Sequence, residues 1–577
     1  MYYFKHKALE SFRNRLVHLY GDRADRCLER LNILLSRYDK PLNVPDYGGK
    51  KWSQEDIVLI TYGNMVTRSG EPPLATLREF AREHLKGAVN TIHVLPFCPY
   101  SSDDGFSVID YRSVDPELGS WADIDALADD FRLMADLVLN HVSKKSAWFQ
   151  DYVSGVQPYT DYFIEVPPNT DLSAVVRPRN TPLLRRTATR DGVKYLWTTF
   201  SEDQIDLDFG NANVLFDFLD ILLLYIENGA RIIRLDAIAY LWKKIGTECI
   251  HLPETHEVVR LIRQVLDAVA PGTLLITETN VPHQENVSYF GRGDEAHLVY
   301  QFALPPLLLH ALHYGNACHL REWAARCLRT PRGCTFLNFT ASHDGIGVRP
   351  LEGIIPDGEI NALCDMVRAK GGYVSTKNNA DGSQSPYELN ITYFDALKEE
   401  CDAEKMNWAR FLCSQILPLS LKGIPALYFN NLFGAENDTP QAAATGKPRA
   451  INRQKWEYEN LTANLMDAGK KEGQIFTELT RILKLRSQCP ALHPDCDQIV
   501  PDFGNAVFGI LRQTKDRTNQ LLALHNLTAH PAAVQVAKSE TARFAQAESL
   551  NDLITGQNLM LKNCALRLEP YQCVWLV

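Results

Sequence analysis

ARIIRLDAIAY, residues 230–240, decides how this chain folds. Its first half is an almost continuous apolar run, as expected of a parallel strand buried on both faces. The run ends on Arg234 and Asp236, two apart, and alternate residues of a strand share a face. A buried strand thus delivers a guanidinium and a carboxylate together to the mouth of whatever it helps to build. Working outward, similar runs precede it at DIVLITYG (56–63), NTIHVLPF (90–97) and RLMADLVLN (132–140). Others follow at TLLITETN (273–280), AHLVYQF (296–302), CTFLNFTASHD (334–344) and GIPALYFNN (423–431). Helical stretches separate them. Eight such strands predict an α/β fold built on a closed (β/α)8 TIM barrel.

Two spacings, 141–229 and 345–422, are too long for a simple strand–helix unit, and long structureless loops are rare in compact domains. Both read as subdomains inserted on the barrel rim. The first carries VPPNTDLSAVVRPRNTPLL (166–184), and the second carries STKNNADGSQSPYELN (375–390), which reads as a substrate-facing loop. After about residue 495, NAVFGILRQT, NQLLALHNLT, AAVQVAK and QCVWLV predict a small all-β domain. The expected division is a helical N-terminal leader (1–52), barrel (53–140), subdomain B (141–205), barrel (206–345), subdomain B′ (346–405), barrel (406–495) and C-terminal β domain (496–577).

Composition sets the class. The 577 residues are 45% hydrophobic and 23% charged with a net charge of −10, as in an ordinary globular protein. No basic stripe or tail marks a nucleic-acid partner. No run reaches the ~20 apolar residues of a membrane helix, and the charged N-terminus lacks the apolar core of a secretory signal. The thirteen cysteines are scattered without paired spacing, which reads as reduced thiols in a cytoplasm. His251 and His256 are not at a metal-ligand spacing, the first insertion has no dense oxygen cage, and FGRGDE (290–295) opens no nucleotide fold. Neither metal nor cofactor is expected.

The strand ends carry the chemistry. The third strand presents Asp136, Asn140 and His141, the fourth Arg234 and Asp236, the fifth Glu278, the seventh His343 and Asp344. In such barrels the catalytic groups gather at the C-terminal ends of the strands. Carboxylates and imidazoles converging from four strand ends repel one another and are costly to bury unless they serve a reaction. The reaction that suits them is two-step glycosyl transfer, in which one carboxylate attacks the anomeric carbon and a protonated acid releases the leaving group. Arg234 should keep Asp236 ionised, since a nearby opposite charge lowers a carboxylate pKa. Glu278, without such a neighbour, is the better proton donor. Asp136 reads as a support from behind.

These motifs resemble the α-amylase superfamily over roughly residues 55–577: DLVLNH, RIIRLDAIAY, the Glu of strand five, ASHD, QIDLDF (204–209) and the strand-two region HVLPFCPYSSDDGFSVIDY (93–111). The resemblance implies Asp236 as nucleophile, Glu278 as general acid/base and Asp344 as transition-state stabiliser, with Arg234, His141 and His343 binding sugar. Within the superfamily the chain is most similar to the sucrose phosphorylase group. That likeness implies Asp103 on the far hydroxyls of the sugar, Phe106 as an apolar platform, Arg453 (in INR) as a sugar-binding arginine, and Phe200 with Gln204 lining a pocket for one terminal glucose. On the acceptor side it implies Arg179 for phosphate, with Tyr240 and Tyr387 nearby. Glu388 stands where that group has Gln, and Asn280 where it has His, which speaks against fructose as the partner sugar. GTECIHLPETHE, TETNVPH, FGRGDEAHLVYQF and KNNADGSQSPYELN look most like the glucosylglycerate phosphorylases. Glucosylglycerol, sucrose and sucrose 6-phosphate phosphorylases are the near alternatives; a hydrolase or transglucosidase, and a non-catalytic amylase-like binding protein, are the remote ones. The expected partners are a small glucoside, inorganic phosphate and α-glucose 1-phosphate, with room for a homodimer.

Overall fold

The computed structural model describes residues 6–38, 51–326, 329–379, 383–536 and 540–577. Its centre is a closed barrel of eight parallel strands: β1 (Val58–Thr61), β2 (Thr91–Val94), β3 (Arg132–Leu137), β4 (Ala230–Leu235), β5 (Leu274–Thr277), β6 (Leu298–Tyr300), β7 (Thr335–Asn338) and β8 (Ile424–Tyr428). Each pairs with its sequence neighbours, and β8 closes on β1 through Val58↔Ala426. All eight expected runs are therefore barrel strands. Their side chains are buried almost throughout, which is why the sequence shows continuous apolar runs and not alternation.

The first inserted region opens with His141–Ser143, which pairs antiparallel with Gln204–Asp206, and it contains the hairpin Leu184–Thr189/Gly192–Trp197. The second contains a three-stranded sheet of Ile346–Gly347, Gln384–Asn390 and Tyr373–Asn378, backed by the helix Asp357–Ala369. Past the barrel, Asp497–Ile499, Val507–Gln513, Gln520–Asn526 and Cys573–Leu576 form an antiparallel sheet. Two arginines are fully buried around this junction: Arg486 of the preceding helix Lys471–Ser487 donates to Leu419 O at 3.1 Å, and Arg512 of the sheet donates to Ser420 O at 3.1 Å. Burial pushes them down to about 9 and about 10, and main-chain carbonyls supply their hydrogen bonds.

The N-terminal segment is helical, as expected, over His6–Tyr20 and Ala24–Ser36; the turn-prone stretch 39–50 lies outside the described residues. These helices pack on the outer barrel helices, with Arg15 Nη1 2.8 Å from Glu257 and the Tyr20 hydroxyl donating to Phe209 O at 3.1 Å. Among the described residues no helix is long and apolar enough to cross a membrane, and the described cysteines are free and mostly buried.

Candidate active site

The three expected carboxylates line one cavity of about 70 Å³ at the C-terminal ends of the strands. Its wall also includes Asp103, Phe106, His141, Arg179, Phe200, Gln204, Arg234, Asn280, His343, Tyr387, Glu388 and, unforeseen, Arg449. Of the residues singled out in the sequence for substrate or acceptor, Tyr240 and Arg453 stand outside this lining, as do the strand-end residues Asp136 and Asn140.

Asp236 follows the last residue of β4. Arg234 Nη1 donates to Asp236 Oδ1 at 2.7 Å and also to Asp136, which His93 Nε2 holds from the other side at 2.7 Å. Asp136 is thus a buried counter-charge beneath Arg234. Just past Asp236 the backbone turns left-handed at Ala237 (φ 48°), aiming its N–H at Glu278 Oε2, 2.9 Å away. Such a conformation costs an alanine about 1–2 kcal/mol and persists where the surroundings over-determine it.

Burial pushes Glu278 above the ordinary carboxylate range, with the charge of Asp344 adding to it against the pull of Arg234. Asp236 is raised as well, through burial first and then the charge of Glu278, against Arg234. The sequence predicts that Arg234 keeps it ionised: the guanidinium pulls in that direction, but desolvation and the charge of Glu278 outweigh it. The two acids titrate as a pair. Once one proton is bound the mutual repulsion is gone, and the 2.7 Å bond from Arg234 favours the charge on Asp236 and the proton on Glu278. Asp344 is the opposite case. Against the cost of its burial, Arg449 Nη1 at 2.6 Å holds it well below the usual range.

The sugar-side residues form a tight shell. The loop after β2 carries Asp103 and Asp104 at positive φ (53° and 48°) and Gly105 at 112°, where an added Cβ would lie 2.8 Å from Pro96 O, so only glycine fits. Asp203 of the first insertion fixes this loop by accepting from the hydroxyls of Ser101 (2.6 Å) and Ser107 (2.9 Å). Phe106 stacks on His343, with centroids 4.8 Å apart and planes 6° apart. His141 donates to Phe106 O at 2.8 Å, and Gln204 donates to Phe106 O at 3.2 Å and Asp103 Oδ2 at 3.3 Å. Burial lowers both imidazoles, His343 to about 3, so they are neutral hydrogen-bonding groups at physiological pH. Behind His141, the Lys243 ammonium donates to Asn140 Oδ1 and meets Asp206 Oδ2, each at 2.6 Å.

Two placements differ from the sequence reading. Arg453 donates to His343 O at 2.8 Å, pairs with Asp104, and lines a neighbouring cavity of about 320 Å³ with Tyr62 and Lys455. Arg449, four residues earlier, enters the carboxylate cavity in its stead. The intervening Pro448–Asn452 is a 3₁₀ turn; at about three residues per turn, positions four apart project in different directions. Tyr240 is buried one ring behind the wall, edge-on to Phe200 with centroids 5.6 Å apart.

On the outer side the cavity is cationic. Arg179 lies over the Tyr387 ring at 5.6 Å. The charges of Arg179, Arg349, Glu278 and Tyr387 all act on the Tyr240 hydroxyl, which gathers these groups around one locus. Arg349 is 8% exposed, its Nε has no hydrogen-bond partner, and the nearest acid, Glu352, stays 3.7 Å away. Arg177 likewise has Nε and Nη2 unpartnered. Buried polar groups are ordinarily satisfied, so these guanidiniums keep donor capacity to spare. The arrangement sets two carboxyl groups on one cavity with the Arg179 guanidinium in its wall.

Comparison with known proteins gives the same direction. The α-amylase catalytic-domain family model matches residues 85–329. The chain is 45% identical over 580 residues to the glucosylglycerate phosphorylase of Spirochaeta thermophila, covering 98% of each chain. It is 42% identical over 529 residues to that of Escherichia coli, covering 91% of this chain and 92% of the relative. Among solved structures, the sucrose 6F-phosphate phosphorylase from Thermoanaerobacter thermosaccharolyticum is similar with a TM-score of 0.72 and 24% identity, over 84% of this chain and 96% of that one, a likeness of fold.

Proposed function

This chain belongs to the α-amylase family and is an enzyme, and from that premise we propose that it is a retaining glycoside phosphorylase whose glucosyl donor is 2-O-α-glucosylglycerate. The relatives just named support the acceptor. The observation that carries the reading is the juxtaposition of the Arg234-bound Asp236 and Glu278 on one cavity that Arg179 also lines.

The cycle balances on these residues. Asp236 attacks the anomeric carbon as Glu278 gives its proton to the departing glycerate oxygen; the glycosidic C–O bond breaks and a glucosyl ester of Asp236 forms. Asp344 stabilises the positive charge that develops on the ring, a role for which its depressed pKa suits it. Glycerate leaves, and phosphate enters against Arg179 and the Tyr387 hydroxyl. The Glu278 carboxylate takes a proton from phosphate, whose oxygen attacks the anomeric carbon, breaking its C–O bond to Asp236 and releasing that carboxylate. Two inversions return the α configuration, as α-glucose 1-phosphate. Asp103, Gln204, His141, Arg234 and His343 hold the sugar hydroxyls, and Phe106 and Phe200 cover its apolar faces. The scattered cysteines, free where described, support a cytoplasm that supplies phosphate as the working environment.

The test is to incubate the protein with α-glucose 1-phosphate and, separately, glycerate, glycerol, fructose and fructose 6-phosphate. Phosphate release that depends on glycerate is the expected result. Equal release with glycerol or fructose would overturn the acceptor assignment, and glucose release indifferent to phosphate would overturn phosphorolysis.

A further inference from the structure

Glu388 was singled out as an acceptor-side residue, yet its carboxylate is committed elsewhere. It sits on the strand Gln384–Asn390, opposite Gly347 in antiparallel register, and is 1% exposed. Arg449 donates to it twice, Nη2 to Oε1 at 2.9 Å and Nε to Oε2 at 3.1 Å, and the backbone N–H of Gly345 donates to Oε1 at 2.8 Å. The third arm of the same guanidinium, Nη1, lies 2.6 Å from Asp344 Oδ1. Gly345 is the residue after Asp344, and a Cβ there would come 2.5 Å from Glu388 Cγ. Glycine at 345 is what lets the two acids share one arginine at this range.

We propose that Glu388 is a positioning residue that acts through Arg449 to orient Asp344, and does not select the acceptor. Arg449 alone would be a mobile cation beside a phosphate-binding cavity, free to swing toward the incoming anion. A bidentate partner fixes the guanidinium plane, so its remaining arm points at Asp344. The same pairing cancels the charge of Arg449 toward the acceptor side and leaves anion binding to Arg179 and Arg349. The bond to Gly345 ties down the backbone on which Asp344 is carried. This inference rests on the two-step chemistry proposed above but is indifferent to which acceptor is used.

The experiment is a double-mutant cycle. Glucosyl transfer from α-glucosyl fluoride to water, glycerol and glycerate is measured for the wild type, Glu388→Gln, Arg449→Gln, the double variant and Asp344→Asn. Glu388→Gln should lower kcat by about 10–100-fold, the worth of a lost charge-assisted contact, and equally for all three acceptors. Adding it to Arg449→Gln should cost less than about threefold more, because residues acting as a unit are not additive. The double variant leaves no unpaired charge at the pair and keeps the comparison open if a single variant folds poorly. An intact transfer to water with an altered KM for glycerate would overturn the proposal, as would losses that multiply. An active Asp344→Asn would instead sink the role of Asp344 and the chemistry beneath it.

Discussion

The N–H of Ala237 donates to the carboxylate of Glu278 at 2.9 Å, so the residue beside Asp236, the proposed nucleophile, holds the proposed acid. One strained residue couples the two carboxyl groups. Ala237→Gly should keep the bond, relieve the left-handed strain and leave thermal stability within about 1 kcal/mol, the strain relieved offsetting the added freedom of the unfolded chain. Ala237→Val, β-branched at positive φ, should lower the melting temperature and reduce kcat at least tenfold; a fully active Val variant would show that the turn does not set the geometry.

Asp236→Asn should abolish turnover with every donor. Glu278→Gln should lose about 10²–10⁴-fold with donors whose leaving group must be protonated, but far less with α-glucosyl fluoride. Mass spectrometry of the Glu278→Gln protein with that fluoride should find one glucosyl unit on the peptide containing residue 236. A label elsewhere would mean the nucleophile is misassigned.

The pH dependence follows from the signs of the shifts. Glu278 is raised, so phosphorolysis should decline as pH rises through its elevated pKa, and Glu278→Gln should erase that alkaline limb in kcat/KM. Its folded form holds a proton that the unfolded chain has released, so it contributes stability at low pH that is lost as pH rises through the folded pKa. Asp344 is depressed, so its contribution is present above the ordinary carboxylate range and is lost as pH falls.

Lys243 meets Asp206 and Asn140 in a region where its side chain is 3% exposed and that of Asp206 is fully buried. Lys243→Met should destabilise by about 3–5 kcal/mol by leaving an uncompensated buried charge, read as a fall in melting temperature. Lys243→Met with Asp206→Asn should recover part of it; no recovery would mean that the ion pair is not the cause.

The two cationic residues of the outer side should separate. Arg179→Ala should weaken phosphate use far more than it slows hydrolysis, and equal losses would count against its role. Arg349→Ala should reduce transfer to glycerate about 10–100-fold while changing transfer to glycerol less than threefold. A uniform loss over both acceptors would make Arg349 a structural residue.

The barrel was legible because its strands are buried on both faces, so the apolar runs in the sequence mark them directly. The three carboxylates proposed for catalysis were legible for the same reason: a carboxylate at the end of such a run has few uses other than chemistry. Arg449 was not, because it lies in a 3₁₀ turn far from any strand and four residues from an arginine that fits the family motif; the pair in RAINR was the available hint. Lys243 escaped too, since its partners Asn140 and Asp206 come together only when the first insertion folds back on β3. The shift of Asp236 depends on desolvation and on a residue forty-two positions away, and neither can be read from its immediate neighbours.

The ring pair Phe106–His343 lines the carboxylate cavity, and Arg453 ties it from behind by donating to His343 O and pairing with Asp104. For the phosphorylase proposed above, a wall braced in this way would seat a single terminal glucose, so starch and glycogen should release no glucose 1-phosphate from their interior linkages.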